Sequence, residues 1–215
     1  MPTPIRTILL DIEGTVGSIS FVKNVLFPLA KQQYAEYVHK HMDDASVRVF
    51  GNSLDEIVDK LNTLHDSGSK DQAFKALQGS IWKDAYENGK VVAHLFPDVV
   101  PLLKRAADKG VRVCIYSSGS VPAQKLYFHY SEYGDLSNYI SEYYDTSIGP
   151  KVEADSYKRI VGSDDPATWL FLSDNVHELD AARQSGLKVG LAVRPGNEPV
   201  SSSGYSEYGS FDSLL

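Results

Sequence analysis

Cysteine is almost missing from this chain: among 215 residues there is one, Cys114. A lone thiol excludes an internal disulfide and a cysteine-rich zinc site. The apolar run around it predicts a buried thiol in a reducing compartment, with the cytosol as the expected location. Long apolar runs are missing too. No segment reaches the roughly 18 apolar residues of a membrane helix, and the stretch before Asp11 lacks the basic region and apolar core of a secretory leader. Positive charge is scarce and scattered. The 21 Lys and Arg against 28 Asp and Glu leave a net charge of −7, with basic residues clustered only in pairs such as Lys104-Arg105 and Lys158-Arg159. Such a surface argues against nucleic acid and anionic membranes as partners. There is no internal repeat, and no H-E-x-x-H, Walker or G-x-G-x-x-G pattern. His39 and His41 lie two apart in a helical stretch and so face different sides. The thirteen tyrosines are too dispersed for a stacking platform and predict packing roles. The Ser/Gly/Tyr segment from Ser201 to Gly209 reads as a solvated loop. What is present is the composition of a globular protein, 42% hydrophobic and 23% charged. Disorder, collagen and coiled coil are thereby set aside, and the length fits one large domain or a domain with an insertion.

Two patterns divide the chain. From about Phe96 onward, short apolar runs alternate with helical stretches. Ile5 to Leu10, Val111 to Tyr116, Trp169 to Leu172 and Lys188 to Val193 are bounded by Gly, Ser, Asp or Pro, as expected for buried parallel strands. Helices are expected from Asp98 as cap to Gly110, from Ser120 as cap with Pro122 in the first turn, and from about Asn175 to Gly186. Alternating strand and helix predict a doubly wound, Rossmann-like α/β sheet. Between Phe21 and Asn88 the periodicity is helical throughout. Leu26, Ala30, Tyr34, Tyr37 and His41 make one stripe; Ser53 with Glu56 and Ser69 with Gln72 read as capping boxes, ended by Gly68 and by Asn88-Gly89. The expectation is a catalytic core of residues 1–18 and 93–215, with an all-helical cap, 19–92, inserted after the first strand. Ligands of open α/β sheets bind at the carboxyl ends of the strands, which such a cap would cover.

Four places carry chemistry. Asp11-Ile-Glu-Gly-Thr15 follows the first strand directly, and in an extended chain Asp11 and Glu13 point to one face with Cα atoms roughly 6.5 Å apart. Paired carboxylates suit metal binding or acid/base work; capping a turn is the alternative. Gly14 would turn the chain, and Thr15 offers a hydroxyl to an anion or to the turn. Ser117-Ser118-Gly119-Ser120 ends a strand and opens a helix, where hydroxyls and free N–H groups can hold a phosphate or merely cap the helix. Asp174 ends a strand, and Glu178, one helical turn later, returns beneath it, as a metal ligand or as an acid favoured by the helix dipole. Lys151 follows Gly149-Pro150 at an expected helix start, a place unfavourable for a cation unless it meets an anion. Together these supply carboxylates for a divalent cation and hydroxyl and lysine donors for a phosphate.

In order and context Asp11-Ile-Glu-Gly-Thr15, Ser117, Lys151 and Asp174 resemble the four motifs of the haloacid-dehalogenase-like phosphohydrolases. Within them the chain is similar to the enolase-phosphatase family of methionine salvage. The signs are Glu13 at the second motif position, Ile115 to Lys125, Tyr144-Asp-Thr146 before Gly149-Pro-Lys151, and Val193-Arg-Pro-Gly-Asn197. The resemblance implies Asp11 as nucleophile, Glu13 as general acid and base, Lys151 as a catalytic cation, and Thr15, Ser117, Ser118 and Lys151 as substrate-binding. It further implies one Mg²⁺ per chain held by Asp11, Glu13 and Asp174, a small phosphate ester as substrate, and a monomer. A phosphoacceptor module and a capped phosphatase for another phosphate ester are the alternatives; a C–Cl dehalogenase would not need a metal pair at Asp11 and Asp174.

Overall fold

The sheet explains where the chemistry collects. In the computed structural model, which describes residues 3–200 and 204–215, strands β1 (Thr7–Leu10), β2 (Arg112–Tyr116), β3 (Glu142–Tyr144), β4 (Trp169–Ser173), β5 (Lys188–Ala192) and β6 (Glu207–Tyr208) lie in the order β3-β2-β1-β4-β5-β6. Every pairing is parallel. The central β1 is buried at all four positions, and β4 at all five. Strands covered on both faces read as unbroken apolar runs, so these were visible in the sequence. The edge strands β3 and β6 were not. β6 falls inside the segment read as a solvated loop, where Glu207 and Tyr208 instead pair with Leu191 and Ala192. Residues 201–203 of that loop reading lie outside the described residues.

By contacts the chain divides into two compact units, Met1–Ser20 with Ala93–Leu215, and Phe21–Val92. In the first, the helix Val176–Gln184 buries Leu179, Ala181 and Ala182 in a core with Trp169, Phe171, Tyr157 and Leu191. Cys114 belongs to that core, and burial pushes its thiol up to about 11, so it is inert at neutral pH. Asp98 precedes the helix Val99–Asp108 as expected, but its side chain makes no capping bond. Its carboxylate accepts from Phe211 N at 2.6 Å and pairs with Arg194, partners far away in the sequence that displace the local one.

The second unit is helical. α1 (Phe27–Lys40), α2 (Leu54–Asp66) and α3 (Gln72–Glu87) close a core of Ala30, Tyr34, Val38, Ile57, Leu61, Phe74, Leu77 and Ile81. Burying such side chains stabilises by about 1.5–3 kcal/mol each. A π-helical turn, Val22–Leu26, leads into α1 where Pro28 removes an N–H donor. Ser53 caps α2 by accepting from Glu56 N at 3.3 Å, while the Glu56 carboxylate reaches one residue past the cap to Asn52 N at 2.8 Å. The cap of α3 is Asp71, whose Oδ1 accepts from Phe74 N at 2.8 Å, and not Ser69. Ser69 Oγ accepts from Asp71 N and shapes the preceding turn. Among the described residues, no helix is long and apolar enough to cross a membrane.

Candidate active site

Asp11, Ser117 and Asp174 each follow directly on a strand, and β1 lies between the other two. The register sets Leu10 opposite both Ile115 and Leu172, so the three residues leave the sheet side by side at its carboxyl end. Asp11 N is held by Leu172 O at 3.0 Å. Ser117 is buried, its N–H donating to Tyr144 O and its Oγ accepting from Gly119 N, whereas Ser118 is exposed. Ser120 caps the helix Val121–His129 as expected.

Lys151 is brought into the same site, though not from a helix start. It stands in a turn three residues ahead of the helix Ala154–Val161, whose N-cap is Glu153. Two buried tyrosines hold this turn: Tyr116 OH donates to Gly149 O at 2.8 Å and Tyr157 OH to Lys151 O at 2.7 Å. Lys151 Nζ donates to Asp11 Oδ1 at 2.5 Å and forms an ion pair with Glu178 Oε2 at 2.7 Å. Ser173 Oγ donates to the same Glu178 oxygen at 2.9 Å. Glu178 therefore returns beneath the strand ends as its spacing predicts, and there it serves as a partner of the lysine. Tyr116 and Tyr157 were assigned only packing roles from the sequence; no local signal distinguishes them from core tyrosines.

Charge in this pocket is unbalanced. Asp11, Glu13, Asp174 and Glu178 interact with one another and with the single ammonium of Lys151. Burial, then the neighbouring Asp11, pushes Glu13 up; burial, then Asp11 and Glu178, pushes Asp174 up to about 7. Glu178 is raised for the same reasons, burial first. Burial alone would lower Lys151, but the Asp11 and Glu178 carboxylates outweigh it and hold the ammonium well above its ordinary value.

The loop after β1 is tightly bonded. Thr15, Val16 and Gly17 N–H groups all donate to Ile12 O, and Gly14 N to Gly17 O. Gly14 has φ +73°, and a Cβ there would stand 2.3 Å from Asp174 Oδ2 and 3.0 Å from Asn197 Oδ1. Thr15 is fully buried, its carbonyl accepting from Arg194 Nε at 2.9 Å. Asn197 Nδ2 donates to Gly14 O at 2.9 Å. Arg194 and Asn197 belong to the motif after β5 that the resemblance singled out without a role.

These donors suit a hard divalent cation. Four carboxylates face one ammonium, and the buried Thr15 Oγ1 and Asn197 Oδ1 have no hydrogen-bond partner among the described residues, so both can accept from water on a cation. Among the described residues, no group of three His, Cys, Asp or Glu side chains is placed to hold a metal ion by itself. A cation that takes one or two carboxylates and keeps its waters does not need such a group.

A family model described as haloacid dehalogenase-like hydrolase matches residues 5–186. Enolase-phosphatase E1 of Schizosaccharomyces pombe is 54% identical over 213 residues, 98% of this chain and 99% of that protein. Enolase-phosphatase E1 of Stenotrophomonas maltophilia (strain R551-3) is 46% identical over 216 residues, 95% of this chain and 94% of that one. The crystal structure of the UTR4 protein of Saccharomyces cerevisiae superposes with a TM-score of 0.89 at 38% identity, covering 98% of this chain and 100% of that one. The strand-end carboxylates, the buried lysine and the sheet order thus occur in a chain that belongs to the haloacid dehalogenase-like hydrolases and, within them, to the enolase-phosphatase family.

Proposed function

We propose that the chain enolises 2,3-diketo-5-methylthiopentyl-1-phosphate and dephosphorylates the enol to an acireductone and phosphate, a step of methionine salvage. The observation that carries the phosphatase chemistry is the buried Asp11 carboxylate, 2.5 Å from Lys151 Nζ at the end of the central strand. Relatives named enolase-phosphatase E1, aligned over nearly the whole chain, support the substrate.

Asp11 attacks the phosphorus, and the bond to the leaving enolate oxygen breaks as the aspartyl-phosphate forms. One hard displacement becomes two easier ones. Glu13, whose raised pKa favours the protonated form, gives its proton to the leaving oxygen. As a carboxylate it then takes a proton from the water that attacks the phosphoaspartate, which frees phosphate and restores Asp11. Lys151 and Ser117 hold phosphoryl oxygens, and losing one such donor typically costs about 2.7–4 kcal/mol of barrier. Thr15 and Ser118 complete the substrate-binding set. For the enolisation, Glu13 is the candidate base. Asp11, Asp174 and the Glu13 backbone carbonyl would hold Mg²⁺, which when bound neutralises phosphoryl charge and stabilises an enolate. The helical unit is inserted in the chain between β1 and β2, and that point of insertion supports a role as a cap.

The test is phosphate release from this diketo ester with and without Mg²⁺, following acireductone absorbance, with Asp11→Asn as control. Magnesium-dependent release of both products, lost in the variant, is expected. Release from unrelated esters alone would overturn the substrate assignment, and release from none would overturn the phosphatase.

A further inference from the structure

We propose that Arg194 and Asn197 form a two-point clamp that positions the Asp11–Gly17 loop, and through it the cation site. The clamp's effect on turnover rests on the function proposed above; its effect on cation binding does not.

The loop satisfies most of its own N–H groups, four of them on Ile12 O or Gly17 O. Those bonds set its shape but leave its placement against the sheet to its carbonyls. Val16 O accepts from Phe96 N at 2.9 Å. The two carbonyls nearest Glu13 on its carboxyl side, Gly14 O and Thr15 O, are each taken by a side chain from the segment after β5: Asn197 Nδ2 at 2.9 Å and Arg194 Nε at 2.9 Å. Asn197 Nδ2 also donates to Ala192 O at 3.2 Å, which ties the loop to the last residue of β5. Because Nδ2 meets two carbonyls, the amide orientation is set, and Oδ1 is turned toward Gly14 on the side of Asp174.

Arg194 is held far more firmly than one carbonyl requires. It is 5% exposed, with its guanidinium 4.0 Å from the Phe211 ring centroid and 4.7 Å from that of Phe96. Nη1 donates to Gly209 O at 3.0 Å, and Nη2 stands 2.9 Å from Asp98 Oδ2 as an ion pair. A buried pair of this kind is weak as a net source of stability compared with apolar packing, since both ions lose their hydration. What it supplies is a guanidinium immobilised from four sides, so that Nε has one position to offer Thr15. A rigid support of this sort acts as do the outer partners of metal ligands, whose removal typically costs about 10- to 100-fold in metal affinity or activity.

Asn197→Ala and Arg194→Lys are compared with Arg112→Ala. Arg112 donates to Thr7 Oγ1 and to Asp164 at the amino end of β1 and β2, so its loss loosens the end of the sheet opposite the site, and neither partner belongs to the loop or to the surroundings of Arg194. Magnesium chloride alone is titrated into each protein by calorimetry, and kcat and KM are measured with the diketo ester. The clamp predicts that Asn197→Ala and Arg194→Lys weaken magnesium about 10- to 100-fold and lower kcat in like proportion with KM unchanged. Arg112→Ala should melt earlier yet keep both values. Wild-type magnesium affinity in Asn197→Ala, an equal loss in Arg112→Ala, or no magnesium binding by the wild type overturns the clamp. Should Arg194→Lys fail to fold, Asn197→Ala decides. If the wild type binds magnesium but releases no phosphate, the functional reading falls and the calorimetry still judges the clamp.

Discussion

Gly14 meets two demands that only glycine satisfies together: a backbone at φ +73° and a Cα against which Asp174 and Asn197 both close. Gly14→Ala is expected to destabilise by about 1–3 kcal/mol through backbone strain alone and to abolish phosphate release, because the Asp174 carboxylate must move. Gly119→Ala is the contrast, since an added Cβ there meets only Ser117 Oγ at 3.8 Å, and its stability should stay within about 0.5 kcal/mol. Urea unfolding of the pair checks both. At this scale the sequence was legible wherever a residue stands directly after an apolar strand, as do Asp11, Ser117 and Asp174. It was silent where the partner is remote. Nothing near Thr15 announces Arg194, 179 positions away, and Asp98 read as a helix cap because its alternative partners, Arg194 and Phe211 N, are visible only in the fold.

Among the elements, legibility followed length and burial. β1, β2, β4 and β5 are apolar runs flanked by breakers, whereas β3 with three residues and β6 with two are too short to show a period and exist through pairing with a neighbour. Lys151 shows the same limit at a boundary. Its turn is shaped by Tyr116 and Tyr157 reaching backbone carbonyls, so the helix begins later than Gly149-Pro150 suggests. The α3 cap is a similar case, because two capping residues compete within three positions. Asp71 bonds Phe74 N, so Asp71→Ala should cost about 1 kcal/mol. Ser69→Ala, which removes only a turn bond to Asp71 N, should cost less. Thermal melts that rank the two the other way would return the cap to Ser69.

For the molecule as a whole, the crowded carboxylates couple stability to pH. An unfolded Asp releases its proton near pH 4, while folded Asp174 keeps its own to about 7. Below that window both states are protonated and the group contributes nothing. Within it the folded state binds more protons, so stability falls as pH rises, and Glu13 and Glu178 act in the same direction. Without metal, the stability advantage of Asp174→Asn over the wild type should therefore grow from about pH 5 to about pH 7.5. Added magnesium should reverse it, because the ionised carboxylate then has a partner. Differential scanning calorimetry across this range reads the effect, and an advantage independent of pH would refute it.

The sheet order also has a consequence for synthesis. β1 leaves the ribosome first, yet its neighbours are β2 and β4, so Thr7 must wait for Arg112 on one side and Trp169 on the other. At about 5–20 residues per second, its four buried positions wait roughly 5 to 20 s for β2 and roughly 8 to 30 s for β4. The helical unit waits for nothing beyond Val92, since its core is closed by α1, α2, α3 and Val47 from the short helix Ala45–Arg48 between α1 and α2, all within Phe21–Val92. Chains stalled shortly after residue 130, with the tunnel still holding the newest residues, should therefore yield a protease-resistant fragment from the helical unit while the stretch around β1 is still cut. Asp11 is thus made before Ser117, Lys151, Asp174 and Glu178, and it acquires these charged and polar neighbours only once β4 and the helix after it have followed.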